Sequence, residues 1–354
     1  MKTLSIAVIA GDGVGPEVIA SARRVLEAAG RRYEIAFRFE EFGWGAEYYF
    51  QHGRMMPPQA LEVLGAFDAI LLGAVGHPDI PDHVTLNGLL LPVRRSLDLY
   101  ANVRPAVLYP GVESPLAGKK AGDIDLVVVR ENTEGEYAQV GGILYHQQPQ
   151  EVAIQSGVFT RRGIERVVRF AFELAVRRNK KKRVTSVTKS NAQGYSMVLW
   201  DRVFAGVAQE FPSVEADSSL VDAAAMNFVR RPESFDVVVA SNLFGDILSD
   251  LSAIVTGSIG LAPSANLDPT RRHPSLFEPV HGSAQDIAGK GIANPLAAIL
   301  SGAMLLEHLE CVAAACAIEA AVTAVLAEGR MRTPDLGGDS STGEVTEAVL
   351  EKLG

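Results

Sequence analysis

Short apolar runs alternate with amphipathic stretches along the whole chain. Two segments, 16–30 and 161–178, carry apolar residues at helical spacing. Five other runs are almost continuously apolar or β-branched, as is typical of strands covered on both faces; they span 4–10, 69–75, 125–130, 183–188 and 236–241. This alternation predicts an α/β fold.

The segment 141–160 departs from the alternation. It has the pattern of two short strands around a turn rich in Gln and Pro, with no helical pattern between them. A lone hairpin is only marginally stable in water. We therefore expect this hairpin to pair with another surface, such as a second subunit.

The composition is that of an ordinary globular protein. The chain has 354 residues, 47% of them hydrophobic and 21% charged, which is enough for two domains and a sizeable core. The net charge of −9 argues against general binding to nucleic acid or to anionic membranes. The basic run 177–183 is explained as a helix end and a solvated turn. No apolar run is long enough to predict a membrane span.

Two cysteines, Cys311 and Cys316, lie five residues apart in an Ala-rich stretch. They form no CxxC motif and indicate no disulfide. The first residues lack the pattern of a signal peptide. A reducing cytoplasm is the location that we expect.

The stretch SNLFGDILSD at 241–250 places Asp246 and Asp250 four residues apart after a predicted strand. On a helix this spacing puts both carboxylates on one face, and we expect Ile247 and Leu248 to turn inward. Two explanations are open. Aspartates are favoured in the first turn of a helix, where backbone N–H groups are free. Alternatively, the two carboxylates bind a divalent cation.

The stretch GDGVGPE at 11–17 follows a predicted strand and opens a predicted helix. The G-x-G-x-x-G pattern of dinucleotide-binding loops is absent, because Pro16 follows Gly15 directly. Proline in the first helical turn, preceded by glycines, is a sufficient structural explanation.

Three arginines and two further side chains are candidates for chemistry. Arg94, Arg104 and Arg130 would suit a polycarboxylate substrate if they converged, because guanidinium groups hold carboxylates through paired hydrogen bonds. The sequence leaves their convergence open. Tyr137 and Lys189 are candidates for a general acid or base if neighbouring groups tune their pKa values.

The long segment 277–295 is rich in glycine and contains His281, Asp286 and Asn294. Loops of this length in compact domains are usually functional. Backbone N–H groups near Gly282 and Ser283 are suited to phosphates. A carboxylate such as Asp286 is suited to the two hydroxyls of a ribose.

Three motifs, in chain order RENTEGEY, NLFGDILSD and FEPVHGSA followed by GKGIANP, resemble the β-decarboxylating dehydrogenases. That family includes isocitrate, 3-isopropylmalate, homoisocitrate and tartrate/D-malate dehydrogenases. The resemblance implies two open α/β domains of the isopropylmalate dehydrogenase-like fold, which differs from a Rossmann fold. It places a larger, cofactor-binding domain at 1–101 and 256–354 and a smaller one at 102–255, with a β-arm for dimerisation near 141–160.

The resemblance also implies roles for individual residues. Tyr137 becomes the catalytic acid and Lys189, delivered from a partner subunit, the base. Mg²⁺ or Mn²⁺ is held by Asp246 and Asp250 with Asp222 of the partner subunit, and K⁺ stays open as a further ion. The substrate carboxylates are bound by Arg94, Arg104 and Arg130. NAD is bound by Glu278, His281, Gly282, Ser283, Ala284, Asp286 and Asn294. The expected assembly is a homodimer with shared active sites, and a tetramer is left open.

Within the family, the segments 81–105, 130–142 and 263–284 most resemble the tartrate/D-malate branch. Asn87 departs from that branch, which usually has Trp at this position. Leu90 replaces a polar group of isocitrate enzymes, so D-malate or tartrate is the expected substrate, with 3-isopropylmalate or homoisocitrate as the alternative. A non-catalytic regulatory relative would lack catalytic or metal residues, and this chain has all of them.

Overall fold

One mixed sheet of ten strands forms the centre of the molecule in the computed structural model, which describes residues 2–354. The strand order is β2-β1-β3-β12-β11-β4-β5-β10-β8-β9, and β6 and β7 form a separate hairpin. The strands are β1 (Lys2–Gly11), β2 (Ile35–Glu41), β3 (Ala69–Ala74), β4 (Ala101–Val107), β5 (Asp125–Glu131), β6 (Gly141–Leu144), β7 (Val152–Gln155), β8 (Arg183–Thr188), β9 (Glu215–Leu220), β10 (Val237–Ala240), β11 (Pro263–Leu267) and β12 (Ser275–Pro279).

Twelve α-helices are found in the described part of the chain, and they pack on the sheet and on one another. They are α1 (Gly15–Arg32), α2 (Ala46–His52), α3 (Ala60–Leu64), α4 (Asp82–Thr85), α5 (Leu91–Ser96), α6 (Arg161–Arg178), α7 (Ser196–Ala208), α8 (Val221–Arg230), α9 (Asn242–Val255), α10 (Leu296–His308), α11 (Val312–Glu328) and α12 (Thr342–Leu353). A short π-helical turn, Leu86–Leu90, joins α4 to α5.

Both faces of the sheet are buried. Along β1, Ile6 and Val8 belong to a large core that also contains α1, α6 and α10. Their neighbours Ala7 and Ile9 belong to a second core, which Trp44 helps to close on the opposite face. The continuous apolar runs of the sequence follow from this arrangement, because successive side chains of a strand point to opposite faces.

The sheet contains two parallel arrays that meet in an antiparallel centre. Strands β2, β1, β3 and β12 are parallel, as are β5, β10, β8 and β9. Between them, β11 and β4 run antiparallel to their neighbours. The predicted α/β fold is confirmed, and all five predicted strands are present. The domain boundary expected at 101/102 falls inside β4, and the one at 255/256 falls at the end of α9.

The predicted hairpin is also present, as β6 paired antiparallel with β7. Every residue of its two strands is exposed, and Ile143, Leu144 and Ile154 each have more than half of their surface in solvent. Its expected role in joining two subunits stays a prediction. Within residues 2–354, no helix is long and apolar enough to cross a membrane.

Candidate active site

A cavity of about 580 Å³ opens where β3, β5 and β12 end. Parallel strands of open α/β sheets commonly bind ligands at their carboxyl ends. The cavity wall brings together many of the residues that the sequence singled out: Leu90, Arg94, Arg104, Arg130, Tyr137, Asp246, Glu278, His281 and Gly282. The convergence of the three arginines, which the sequence left open, is therefore observed.

Arg130 lies at the end of β5 and is almost fully buried. Its Nε and Nη2 both donate to Asn242 Oδ1, at 2.9 and 2.7 Å, and its Nη1 forms an ion pair with Asp246. Helix α9 can approach this side chain only because residue 245 is glycine. A Cβ atom at Gly245 would lie 2.6 Å from Arg130 Cβ.

Arg104 lies in the middle of β4 and reaches the same helix. Its Nη1 donates to Ser249 Oγ at 2.8 Å and lies 3.2 Å from Asp250 Oδ1 and 3.6 Å from Asp246 Oδ1. Burial lowers the pKa of Arg104 and, to about 10, that of Arg130. Both guanidinium groups stay charged at neutral pH, so they balance the negative charge of α9.

The two aspartates of α9 have different environments. Burial by itself would raise the pKa of Asp246, but the charges of Arg130 and Arg104 outweigh it, and the pKa lies below its usual range. Partial burial raises the pKa of Asp250 in spite of nearby Arg104. Asp246 is thus firmly anionic, while Asp250 is less strongly compensated by positive charge.

Two expectations about α9 are wrong. Asp246 is the fifth residue of the helix, so its first turn contains no acidic residue and the helix-start explanation fails. Leu248 is buried as expected, but Ile247 is 58% exposed. The apolar pair does not turn inward together, because adjacent helical positions point about 100° apart.

The first turn of α9 is instead bound by Glu136, a residue that the sequence analysis did not single out. One oxygen of its carboxylate accepts from Ser241 Oγ at 2.7 Å and the other from the Leu243 N–H at 3.1 Å. A free N–H group at a helix start needs such an acceptor. Because Tyr137 follows Glu136 directly, this contact also places Tyr137 beside α9.

Tyr137 donates its hydroxyl to Asp246 Oδ2 at 2.7 Å, and its ring lies under the Arg130 guanidinium. Burial, followed by the hydrogen bond to Asp246, raises the pKa of Tyr137 to about 12. The hydroxyl is therefore protonated at neutral pH. It has the proton that a general acid must supply.

Arg94 reaches the cavity from α5. Its Nη2 donates to Glu278 Oε1 at 2.8 Å, and both side chains are buried. The Nε atoms of Arg94 and Arg104 are buried without a hydrogen-bond partner in the described residues. Buried polar atoms are normally paired, so both guanidinium groups keep hydrogen-bonding capacity that the chain by itself does not use.

Lys189 and Asp222 lie elsewhere. Lys189 Nζ is 2.8 Å from Asp222 Oδ1, and neither residue lines the cavity. Both side chains are partly exposed, that of Asp222 by 58%. Among residues 2–354, no three His, Cys, Asp or Glu side chains are close enough to hold a metal ion. Of the three aspartates expected to bind a metal, only Asp246 lines the cavity, and Asp250 lies four residues further along α9.

The loop from 280 to 295 lies against the glycine turn of 11–17. The Val14 N–H donates to Ser283 O at 2.8 Å, and a Cβ atom at Gly13 would lie 1.9 Å from the same oxygen. Gly13 is therefore needed for this close packing, and Pro16 lies in the first turn of α1, as the structural explanation of the turn expected. Burial lowers the pKa of His281.

The remaining residues of this loop are held in different ways. Ala284 has a positive φ of 39°, and Asp286 is exposed. Asn294 donates to Asp335 Oδ2 at 3.0 Å and accepts from the Leu296 N–H at 3.0 Å. The sequence analysis also missed Asn242, although it begins the motif NLFGDILSD, and Asn266, since an isolated asparagine has no distinctive pattern.

The chain is similar to known proteins along almost its whole length. Residues 5–349 match the family model described as isocitrate/isopropylmalate dehydrogenase. The chain is 52% identical to the D-malate dehydrogenase [decarboxylating] of Escherichia coli, over 99% of both chains. It is 51% identical to the tartrate dehydrogenase/decarboxylase of Pseudomonas putida, over 98% of this chain and 97% of that one. The crystal structure of isocitrate dehydrogenase from Methylococcus capsulatus is 38% identical, with a TM-score of 0.89 over 100% of this chain and 99% of that one.

Members of this family generally use NAD and a divalent metal and act on small substrates. The relatives at about 50% identity are named as decarboxylating dehydrogenases, which are oxidoreductases. The chain belongs to the isocitrate/isopropylmalate dehydrogenase family and is an oxidoreductase of that family.

Proposed function

We propose that this enzyme catalyses the NAD-dependent oxidative decarboxylation of a small 2-hydroxy dicarboxylic acid, D-malate or tartrate. The observation that carries the proposal is the convergence of Arg94, Arg104 and Arg130 on one cavity with Tyr137 and Asp246. D-malate would give pyruvate and CO₂. The relatives at about half identity act, by their names, on D-malate and on tartrate.

The arginines bind and orient the two carboxylates. All three line the cavity and keep guanidinium N–H groups without a hydrogen-bond partner, so a carboxylate that enters the cavity can accept from them. A carboxylate that entered without such donors would lose several kcal/mol of hydration free energy. The residues therefore favour a dianionic substrate over a neutral alcohol.

Substrate size is limited by an apolar wall. Leu86, Leu90 and Leu91 line the cavity, and Leu89 is buried in the core. Asn87 also lines it, in place of the Trp that is usual in the tartrate/D-malate branch. The leucines offer no partner for a third carboxylate, which disfavours isocitrate. The same leucines favour 3-isopropylmalate, which has an apolar branch, as the second candidate, with homoisocitrate behind it.

Asp246 and Asp250 fit a divalent cation, because two carboxylates on one helix face are oxygen ligands of the kind that Mg²⁺ and Mn²⁺ prefer. When bound, the cation polarises the substrate's hydroxyl oxygen and stabilises negative charge there. The hydroxyl of Tyr137 holds a proton for the carbon that CO₂ leaves. Lys189 removes the proton of the substrate hydroxyl. Since it does not line the cavity of its own chain, it must do so in the cavity of a second copy.

A homodimer supplies that arrangement. Lys189 and Asp222 form an ion pair outside the cavity of their own chain. Because neither takes part in that cavity, both can enter the active site of the second copy. Helices α8 and α9 carry exposed apolar residues that a second copy would cover, Met226, Val229, Ile247 and Ile254. The exposed hairpin β6–β7 is a second surface that the partner copy would cover, and a tetramer stays open.

NAD is the proposed cofactor, bound by the loop from Glu278 to Asn294. Asp286 is exposed there, and its carboxylate is suited to accept hydrogen bonds from both hydroxyls of the adenosine ribose. His281 and Gly282 of this loop line the same cavity as the three arginines. The larger domain that we propose, 1–101 with 256–354, contains this whole loop. A reducing cytoplasm, which the two free cysteines suit, is the proposed location.

The test is NAD⁺ reduction with D-malate, tartrate, 3-isopropylmalate, homoisocitrate and isocitrate, each with and without Mn²⁺. We expect D-malate or tartrate to have the highest kcat/KM, at least about tenfold above isocitrate, because an unpaired third carboxylate costs more than 1.4 kcal/mol. Turnover should depend on Mn²⁺. Comparable kcat/KM values for isocitrate and D-malate would overturn the proposed substrate class.

A further inference from the structure

A buried amide side chain controls how two cavity residues are held. Asn266 lies on β11 and is fully buried. Its Nδ2 donates to Glu278 Oε1 at 2.8 Å and, more weakly, to Leu276 O at 3.3 Å. Arg94 Nη2 donates to the same Glu278 Oε1 at 2.8 Å. One carboxylate oxygen thus accepts from both Asn266 and Arg94.

The orientation of Asn266 is determined by two other buried amides. Its Oδ1 accepts from Asn102 Nδ2 at 3.1 Å and from Asn132 Nδ2 at 2.9 Å. Those two amide groups also donate to the main chain, at Ala265 O and Leu99 O. If the Asn266 amide were flipped, its NH₂ group would face the NH₂ groups of Asn102 and Asn132, and its oxygen would face Glu278 Oε1 and Leu276 O. The amide therefore has one favourable orientation.

These amides lie at the centre of the sheet, where the two parallel arrays meet. Asn266 is opposite Asn102 in the β11–β4 pair, and Asn102 is opposite Arg130 in the β4–β5 pair. Asn132 follows directly after β5. The hydrogen bonds link the strand of Arg130 to Glu278 and Arg94 on the other side of the sheet's centre.

The second oxygen of Glu278 is left free. Glu278 Oε2 accepts no hydrogen bond within residues 2–354, and it is not among the buried polar atoms without a partner, so it reaches the open cavity that Glu278 lines. The contact between Arg94 and Glu278 is consequently a single hydrogen bond. The remaining donors of the Arg94 guanidinium are not occupied by this carboxylate.

We propose that Asn266 is a positioning residue, which holds the Glu278 carboxylate so that Arg94 stays available to an anionic substrate. This inference rests on the proposed function. Without the amide donor, the carboxylate is free to turn and to bind Arg94 through both oxygens, which is the stronger arrangement for an arginine and a carboxylate. Arg94 would then have fewer donors for the substrate, and affinity for the dicarboxylate would fall.

The test measures D-malate binding directly, by titration calorimetry with Mn²⁺ and without NAD⁺, so that no reaction occurs. Asn266→Ala should raise the Kd about tenfold at every pH, because a hydrogen bond to a charged group is typically worth 1.4 kcal/mol or more. Ser301→Ala is the matched control. Ser301 is equally buried and donates to the main-chain oxygen of Glu278 at 2.8 Å, so its loss leaves the carboxylate in place. The Kd of Ser301→Ala should stay within about twofold of the wild type, since the positions of Glu278 and Arg94 are unchanged.

Asn266→Asp supplies a readout that a merely structural role would not change. A protonated Asp at this position donates to Glu278 as the amide does, whereas an ionised one repels it. Burial and Glu278 raise the pKa of the introduced carboxyl, while Arg94, and Arg104 beyond it, oppose this rise. The variant should therefore bind almost as tightly as the wild type at acid pH and lose affinity as the pH rises.

The outcomes separate the two proposals. Wild-type enzyme that binds neither D-malate nor tartrate refutes the proposed function. Wild-type binding with unchanged affinity in Asn266→Ala refutes the positioning role, as does a pH-independent Kd ratio between Asn266→Asp and the wild type. If Asn266→Ala does not fold in thermal unfolding, Asn266→Ser and the Asn266→Asp pH series decide.

Discussion

Replacing Gly245 with alanine tests the packing that brings α9 to the cavity. A Cβ atom at residue 245 would lie 2.6 Å from Arg130 Cβ, 2.7 Å from its Cγ and 3.1 Å from its Cα. Carbon atoms in ordinary contact are separated by about 3.5–4.0 Å. The helix and the strand must therefore separate by about 0.9 Å before the contact with Arg130 Cβ is tolerable.

Two opposing effects determine the change in stability. Overpacking of this kind typically costs about 1–3 kcal/mol. Alanine regains up to about 1 kcal/mol, because glycine is a poor helix former. We expect a net loss of about 0–2 kcal/mol in the free energy of unfolding.

The effect on activity should be larger than the effect on stability. Asp246 follows Gly245 directly, and it accepts the Tyr137 hydroxyl at 2.7 Å and pairs with Arg130. A displacement of about 1 Å in a catalytic arrangement costs on the order of a hundredfold in rate. We therefore expect kcat/KM for the best substrate to fall by at least about tenfold.

Thermal unfolding and steady-state kinetics provide the measurement, and Gly206→Ala provides the control. Gly206 lies on α7 and has no atom within 4 Å of an added Cβ, so its replacement should leave activity unchanged and preserve or raise stability. If Gly245→Ala were as active and as stable as Gly206→Ala, the close packing of α9 against Arg130 would not be required.

Four further predictions concern the metal, the cofactor, the assembly and acid stability. Asp250→Asn should keep the fold but strongly weaken the Mn²⁺ dependence of turnover; wild-type activity at limiting Mn²⁺ would contradict the metal assignment. The enzyme should prefer NAD⁺ to NADP⁺ by about 30- to 1,000-fold, and Asp286→Ala should erase most of that preference through NAD⁺ affinity; equal use of NADP⁺ by the wild type would show that Asp286 is not at the ribose. Mixed and exchanged Lys189→Ala and Tyr137→Phe subunits should regain activity, since one site of the mixed dimer is intact, and no recovery despite demonstrated exchange would refute shared sites. Burial lowers the pKa of His308 from 6.5 to about 4, so the free energy of unfolding decreases as the pH falls from 6.5 towards 4. In urea unfolding at pH 7, 6 and 5, His308→Gln should lose less of this free energy than the wild type. An equal loss in both proteins would contradict the shift.

Local pattern was sufficient for part of the fold, and it did not predict β2, β4, β9, β11 or β12. Each of the five apolar runs is a strand, and the Gln- and Pro-containing segment is a hairpin. These features follow from the spacing of apolar residues within one element, and that spacing can be read from the element's own sequence. The motifs also contain several residues that line the cavity, because a motif keeps its residue types together along the chain; these are Arg130, Glu136, Tyr137, Asp246, Glu278, Pro279, Val280, His281 and Gly282.

Contacts between distant elements required the tertiary structure. Arg94, Arg104 and Arg130 converge because β4 pairs with β5 and α5 lies beside them, and the sequence contains no record of that pairing. The exposure of Ile247 likewise depends on what lies next to α9, whereas helical spacing predicts only which residues share a face.

Gly245 and Asn266 show the physical reason most clearly. A glycine in a helix and an asparagine in a strand are each locally unfavourable, by up to about 1 kcal/mol. The sequence pattern shows that local cost, but the stabilising contact is made with a residue far away in the chain. For Gly245 the partner is Arg130, against which a side chain would not fit, and for Asn266 it is the carboxylate of Glu278. Interactions of this kind exist only after the sheet has formed, because the strands that carry them are brought together by pairing and not by sequence proximity.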